Sequence, residues 1–304
     1  MIKTESESCF SNCGGLFMSE SQIKEKYTSS KSLINDLIRL TRSDQYIFRG
    51  ISRRAELKPS ICRKYDRSTQ TLINLKEQEF ALLHQFRQQA SNLLSGTMET
   101  LDYVACAQHY GIPTRLIDWT YNPFTALYFA LAENKQPEEG YYELFVLPLK
   151  EQIVIHRSYN QSKWNPISNE FVEDYADFLK LIRDKSRFLT VVQERNAALN
   201  KLNIVSNTPN PKGLIIYNGS SSNSRLIAQA GLFSIPSSIE AEDSVREIRG
   251  TASCIQIELT AKERLETLVF LDNMGYNKQR LFPDLQNLCD SIVSQALQDQ
   301  SVSK

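Results

Sequence analysis

The sequence predicts an α+β fold with a mixed sheet core and flanking helices. Segments rich in β-branched and aromatic residues are typical of strands. They stand between segments whose apolar residues recur at the spacing of a helix. Because these strands and helices do not alternate regularly along the 304 residues, the pattern favours the α+β class.

The first third of the chain contains one predicted strand between helices. A helix is predicted in "SSKSLINDLIRLTRS", where the leucines fall on one face. The stretch "YIFRG", residues 46–50, is typical of a buried strand, and it ends in Arg49 and Gly50. Two more helices are predicted in "LINLKEQEFALLHQFRQQASNLLSG" and "METLDYVACAQHYG", the second ending at Gly111.

The rest of the chain mixes short strands and helices. "TRLIDWT" is predicted as a strand, and Asn122–Pro123 then caps a buried helix in "FTALYFALA". A long helix is predicted over residues 168–203. Five further strands are predicted in "YYELFVLPL", "QIVIH", "GLIIYN", "LIAQAGLFSIP" and "CIQIELT", followed by two helices.

Composition excludes several classes of protein. Thirty-five basic residues balance 35 acidic ones, which argues against a dedicated nucleic-acid coat or a polybasic membrane binder. The sequence shows neither a secretory signal nor an apolar run of membrane-spanning length, so we expect a soluble cytoplasmic protein without membrane contact. Six cysteines and three histidines do not form a pattern of four zinc ligands, so we expect no metal.

The stretch after the first strand is the most basic part of the chain. "ISRRAELKPSICRKYDRS" carries five cations before its aspartate: Arg53, Arg54, Lys58, Arg63 and Lys64. Two interpretations are open, a solvated face and a nucleic-acid contact.

The stretch "QHYGIPTRLIDWTYNP" gathers polar residues in apolar surroundings. They are His109, Thr114, Arg115, Asp118, Thr120 and Asn122. Buried polar groups need partners, so Arg115 and Asp118 could pair with each other across a turn. His109 could cap the preceding helix or act as a catalyst. The start of a helix attracts anions, so the same residues could also line a binding site.

These residues carry a family resemblance. "FRG" followed by "AQHYGIPTRLIDWTYNPFTALYFA" resembles the FRG domain, and the resemblance extends to "RLIAQAGLF" and "FLDNMGYNKQRLFPDL". Two positions depart from the family pattern: Ile51 stands where a glutamine often follows FRG, and Glu56 stands where a tryptophan often precedes Leu-x-Pro.

The resemblance suggests how the chain is organised. A domain is expected over residues 32–292, most recognisable at 44–135 and 210–292. A mobile polar tail is expected over residues 1–28, and a second polar tail over residues 293–304.

The order of the motifs also resembles the layout of ADP-ribosyltransferases. In that superfamily a first-strand arginine or histidine holds NAD, and a serine or threonine on the next strand shapes the nicotinamide pocket. A late glutamate, sometimes with a neighbouring glutamine, then lies beside the reacting ribose. Arg49 matches the first position and Thr120 the second, while Gln229 and Glu258 are candidates for the third.

The resemblance implies a site for NAD as substrate, with catalytic candidates Arg49, His109, Asp118, Thr120, Gln229 and Glu258. The candidates for binding the nucleotide are Arg49, Gly50, Thr114, Arg115, Asn122 and Arg225. A guanidinium at a strand end suits a diphosphate, and a carboxylate stabilises the charge that develops on the ribose. If Glu258 lies elsewhere, Asp118 could supply that carboxylate. A structural ion pair of Arg49 with Asp118 and a solvated Arg225 remain the alternatives.

Three functions therefore stay open. The first is an NAD-using ADP-ribosyltransferase or NAD glycohydrolase with an unknown macromolecular acceptor, acting as a bacterial toxin or in anti-phage defence. The second is a nucleic-acid-binding or nucleic-acid-acting effector. The third is a non-catalytic module that senses a nucleotide or a protein. The sequence contains no P-loop, nucleophile elbow, zinc helix or dinucleotide glycine motif.

Overall fold

The fold is α+β, as the sequence predicts. The computed structural model describes residues 25–41, 46–65, 75–90, 92–94, 100–132, 137, 140–149, 152–157, 202–205, 214–219, 224–236, 241–284 and 287–289. Both predicted tails lie wholly or mostly outside these residues, as does most of the helix predicted over 168–203.

Strands and helices are mixed along the described chain. The strands are β1 Lys26–Tyr27, β2 Tyr46–Ile51, β3 Ile117–Thr120, β4 Tyr142–Pro148, β5 Ile153–Arg157, β6 Leu202–Val205, β7 Ile215–Asn218, β8 Gly231–Ile235 and β9 Ser253–Ile257. The helices are α1 Ser30–Leu40, α2 Ser60–Tyr65, α3 Leu75–Ala90, α4 Thr100–His109, α5 Pro123–Leu131, α6 Ser224–Ala228, α7 Ala241–Thr251, α8 Ala261–Asn273 and α9 Lys278–Leu281. A 3-10 turn spans Arg54–Leu57.

These strands form one mixed sheet in the order β1-β9-β4-β2-β3-β8-β7-β5-β6. The pairs β1–β9 and β5–β7 are parallel, and the other neighbours are antiparallel. Most predicted strands are confirmed, but "LIAQAGLFSIP" is not one strand throughout. Its first residues belong to α6, and β8 begins only at Gly231. Residues 202–205, at the end of the predicted long helix and beyond, form β6.

The sheet consists of two halves joined at its centre by little pairing. Every residue of β2 pairs with β4, and every residue of β3 pairs with β8. Between β2 and β3 the ladder contains one pair, Phe48 with Thr120. The strands therefore separate beyond this pair, and the two halves of the sheet open there.

Helices cover the sheet in separate groups. Alternation along the strands places Phe48, Asp118, Thr120 and Phe233 on one face. On that face α1, α5 and α8 pack on β2, β4 and β9, whereas α3 and α4 pack on β7 and β8. The other face is covered by α7 and the 3-10 turn. The gap between the two helix groups lies over the central opening of the sheet.

Helix α5 packs closely against β2 near the centre of the sheet. Its N-cap Asn122 accepts hydrogen bonds from the backbone N–H groups of Phe124 at 2.9 Å and Thr125 at 3.3 Å. The helix then crosses β2 so closely that a Cβ on Gly50 would lie 1.8 Å from the carbonyl oxygen of Ala126. Close packing of α5 therefore requires glycine at position 50.

Among the described residues, none of the helices has both the length and the apolar character needed to cross a membrane.

Replacing Gly50 with alanine should destabilise the protein, because its Cβ would overlap backbone that cannot move away as a side chain can. We expect Gly50→Ala to lower the free energy of unfolding by about 3 kcal/mol or more. The control is Gly250→Ala in α7, where no atom lies within 4 Å of the added Cβ. That change should be neutral or stabilise by up to about 1 kcal/mol. Urea unfolding of both variants measures the difference, and equal midpoints would contradict the packing argument.

Candidate functional site

A cleft lies over the central opening of the sheet. It has two lobes, a strand lobe of about 400 Å³ and a helix lobe of about 270 Å³. The strand lobe is bounded by the end of β2, by β3 and by Phe129 and Phe282. The helix lobe is bounded by the end of α4, the loop after it and Phe233. Arg63, Asp118, Arg225 and Gln229 line both lobes, so they mark the junction.

Arg49 spans the place where β2 and β3 separate. One terminal nitrogen donates to the backbone carbonyl of Asp118, and the other donates to the carbonyl of Glu56 at 2.6 Å. Its Nε is buried and makes no hydrogen bond within the described part of the chain. Burial lowers the pKa of the guanidinium, although Asp118 opposes this. The alternative of an ion pair with Asp118 is wrong in its detail, because the bond goes to the carbonyl and not to the carboxylate.

The 3-10 turn after β2 is held by Glu56. Its carboxylate accepts from the backbone N–H of Ser52 at 3.1 Å and from the Ser52 hydroxyl at 3.3 Å. Glu56 is one of the two positions that depart from the FRG pattern. The backbone carbonyl of Glu56 accepts from Arg49, and its carboxylate accepts from Ser52 after β2. Glu56 therefore links Arg49 to the end of β2.

Asp118 is the exposed carboxylate at the junction of the lobes. Its Oδ1 accepts from Nε2 of Gln108 at 3.0 Å. The Oε1 of Gln108 in turn accepts from the hydroxyl of Thr114. Strand β3 sets the position of Asp118, because its backbone pairs with Phe233 in β8.

A late segment of the chain closes the cleft on the other side. Gln229 donates from its side-chain amide to the carbonyl of Leu281 at 3.0 Å, and its own carbonyl accepts from the Thr120 hydroxyl at 2.6 Å. The Arg225 guanidinium lies 4.5 Å from the ring centre of Phe282. The structure thus brings the side chain of Thr120 to the backbone of Gln229.

His109 lines the helix lobe at the end of α4. Burial, and then the positive charge of Arg225, lower the pKa of the imidazole, while Asp284 opposes them. The lowered pKa favours the neutral imidazole, which has one donor nitrogen and one acceptor nitrogen.

Several predicted site residues lie outside the cleft. Arg115 is buried and pairs with Glu79 of α3, where Nε to Oε2 is 2.8 Å and NH2 to Oε2 is 2.7 Å. The predicted pair of Arg115 with Asp118 is wrong. Glu258 lies beyond the end of β9 and pairs with Lys26 at 2.6 Å. The late carboxylate candidate is thus at the edge of the sheet, next to β1.

The remaining candidates for binding the nucleotide make contacts that stabilise the fold around the cleft. Thr114 is buried behind Gln108, and Asn122 caps α5 and donates to the Tyr276 hydroxyl at 3.0 Å. Gly50 lines the strand lobe, but the carbonyl of Ala126 occupies the space beside it.

Sequence reasoning did not select four residues that line the cleft as site residues: Glu56, Arg63, Gln108 and Phe282. Arg63 was noted only as part of the basic stretch, which the structure divides. Lys58 of that stretch lies 3.6 Å from Glu242, whereas Arg63 lines the cleft. Gln108 stands directly before His109 in the FRG-like motif, and this position is the sequence signal that points to it.

No group of three or more His, Cys, Asp or Glu side chains that could hold a metal ion occurs in the part of the chain that the structure describes.

The fold and the cleft define a mixed-sheet α+β protein with a charged cleft between two half-sheets. Residues 44–139 match the family model of the FRG domain, which confirms over this range the resemblance seen in the sequence. Comparisons with curated proteins and with solved structures gave no significant match.

The matched range supplies only part of the cleft lining. Arg49, Arg63, Gln108 and Asp118 fall within residues 44–139. The lining residues that follow the matched range are Arg225, Leu226, Gln229, Phe233 and Phe282. The cleft therefore exists only where both parts of the chain fold together.

Removing the charge of Glu79 should destabilise the whole fold, because Arg115 is only 3% exposed and would lose the carboxylate that compensates it. We expect Glu79→Gln to lower the free energy of unfolding by about 3 kcal/mol or more. The control is Glu266→Gln, which removes an exposed carboxylate 3.8 Å from Lys262. That change should cost at most about 0.5 kcal/mol. Chemical denaturation measures both, and a small effect at Glu79 would show that Arg115 tolerates its loss.

Proposed function

We propose that the cleft binds NAD and that the protein is an NAD-using ADP-ribosyltransferase or NAD glycohydrolase. The observation that carries the proposal is the position of Arg49, Thr120 and Gln229. They lie on or directly before the three neighbouring strands β2, β3 and β8, and all three line the strand lobe. In the order of the ADP-ribosyltransferase layout these are the places of the first-strand cation, the second-strand hydroxyl and the late polar residue, and their proximity supports the proposal.

The cations for a diphosphate are Arg63 and Arg225. Both terminal nitrogens of Arg49 donate to backbone carbonyls, so its main role is to hold the cleft open. Arg63 and Arg225 lie at the junction of the two lobes. Guanidinium groups suit phosphate oxygens because they donate two parallel hydrogen bonds. A diphosphate at the junction would place its two attached ring systems in the two lobes.

The carboxylate for the reaction is Asp118. Glu258 lies at the sheet edge, and the carboxylate of Glu56 is bonded to Ser52. Asp118 is exposed at the junction, beside Gln229. The bond between ribose C1′ and the nicotinamide nitrogen breaks, and its electron pair leaves on neutral nicotinamide. Positive charge develops on the ribose, and an adjacent carboxylate stabilises it.

The second half of the reaction decides between hydrolysis and transfer. A water molecule or a nucleophile of a macromolecular acceptor adds to C1′ and releases its proton to solvent. Aromatic rings of Phe129 and Phe282 form a wall of the strand lobe, 5.9 Å apart between centres. Such a wall restricts the access of water. An effector that consumes NAD or modifies a host component would serve as a bacterial toxin or in anti-phage defence.

Nicotinamide release from NAD by the purified protein tests the proposal. Asp118→Asn should reduce kcat by about 100-fold or more, because one preorganised charge at a reacting centre contributes on that scale. The matched control is Glu258→Gln, which removes the other candidate carboxylate and should leave kcat unchanged. Loss of activity in Glu258→Gln with retention in Asp118→Asn would reverse the assignment.

The binding half of the proposal has its own measurement. Arg63→Ala and Arg225→Ala should each raise the KM for NAD by about 10-fold or more, since a hydrogen bond to a charged group contributes about 1.5–3 kcal/mol. Arg246→Ala is the control, because Arg246 is an exposed arginine of α7 that lies outside the cleft lining and pairs with Asp243. Label from NAD appearing on a component of bacterial lysate distinguishes transfer from hydrolysis.

Two other outcomes would overturn the proposal. Stabilisation of the protein by a nucleotide without any turnover would favour the sensor module. Binding to DNA or RNA that weakens steeply with salt would favour the nucleic-acid effector.

A further inference from the structure

The side chains of Thr114 and Gln108 form a chain of hydrogen bonds that ends at the Asp118 carboxylate. The Thr114 hydroxyl accepts from the backbone N–H of Leu116 at 3.1 Å and donates to Oε1 of Gln108. The amide nitrogen of Gln108 then donates to Asp118 Oδ1 at 3.0 Å. Because an ionised carboxylate only accepts hydrogen bonds, the amide group of Gln108 must face it in this orientation.

This chain of hydrogen bonds is fixed at its far end. The Ser60 hydroxyl, at the start of α2, accepts from the backbone N–H of Thr114 at 2.9 Å and donates to its carbonyl at 3.0 Å. Thr114 is fully buried. Gln108 therefore receives its orientation from a rigid part of the fold, and it passes that orientation to an exposed residue of the cleft.

We propose that Gln108 is the positioning residue of the Asp118 carboxylate, an inference that rests on the NAD chemistry proposed above. Gln108 donates to Oδ1, whereas Oδ2 has no hydrogen-bond partner among the described residues, and Asp118 is exposed where the two lobes meet. An amide carries no charge, so it fixes the direction of the carboxylate without neutralising it. A carboxylate that keeps its full charge in a fixed direction is what a developing positive charge on the ribose requires.

Other charged groups face the same carboxylate, and the test must separate them from Gln108. Arg49, Arg63, Arg225, Glu56 and His109 line the two lobes with Asp118. These five residues are unchanged in variants of Gln108. A difference in pH dependence between two variants at position 108 therefore reports on the contact of that side chain with Asp118.

Two variants of Gln108 form a matched pair. Gln108→Glu keeps the size of the side chain and an acceptor for Thr114, but it places a second carboxylate against Asp118. Two adjacent carboxylates share a proton as the pH falls, and the protonated glutamate then donates to Asp118 as the amide does. Gln108→Met keeps the length and has no donor at any pH.

The expected results differ between the two variants. For Gln108→Glu, kcat for nicotinamide release should fall by about 100-fold at pH 7.5 and recover by about 10-fold or more near pH 5 relative to the wild type. For Gln108→Met, the loss should persist at both values. The KM for NAD should change by less than about 3-fold in both, because Arg63 and Arg225 are untouched. Equal pH profiles for both variants would overturn the proposal.

The ¹³C signal of the Asp118 carboxyl carbon, assigned by its loss in Asp118→Asn, gives a readout without NAD. In Gln108→Glu this signal should follow two coupled titration steps, and in Gln108→Met it should follow one. A single step in both variants would show that residue 108 does not contact the carboxylate. Should the wild type release no nicotinamide, the proposed function fails, and this measurement alone decides whether Gln108 positions Asp118.

Discussion

The Arg49 guanidinium bridges β2 and β3, which share the shortest ladder of the sheet that the structure describes. Beyond the single pair of Phe48 with Thr120, no further residues of β2 and β3 pair with each other. Arg49 donates to the Asp118 carbonyl across that gap and to the Glu56 carbonyl of the 3-10 turn. A side chain thus replaces the missing ladder bonds. An arginine side chain is longer than a backbone amide. Arg49 therefore connects the two strands across a distance that ladder hydrogen bonds do not span, and the cleft lies in the space between them.

The bridging position of Arg49 explains why the arginines of the cleft have different roles. Arg49 is desolvated, and its terminal nitrogens are bonded to carbonyls, so it contributes mainly a fixed positive field. Arg63 and Arg225 reach the junction of the lobes from opposite sides, one from α2 and one from α6. Arg63 belongs to the range that matches the FRG domain, and Arg225 follows that range. A ligand held by both would therefore join the two parts of the chain.

How much the sequence could predict follows from the range of each interaction. The strands bearing Arg49 and Thr120 and the late Gln229 were recognisable from local patterns, and the order of the motifs implied their convergence. The partner of Arg115 was not, because Glu79 precedes it by 36 residues on a separate helix. Pairing with Asp118 looked natural at a spacing of three. Arg115, however, lies before β3 begins at Ile117, and its side chain is buried against α3. Glu258 was misplaced for a similar reason, since only the strand order puts β9 far from β3.

The balance of charge in the cleft also limits what can bind there. Its lining contains the three arginines Arg49, Arg63 and Arg225 against the two carboxylates Glu56 and Asp118. The chain as a whole carries no net charge. The positive excess of this lining is therefore one charge, which suits a compact anion. Lys58, which could have extended it, lies beside Glu242. A dinucleotide whose diphosphate lies at the junction would meet Arg63 and Arg225, the two cations that line both lobes.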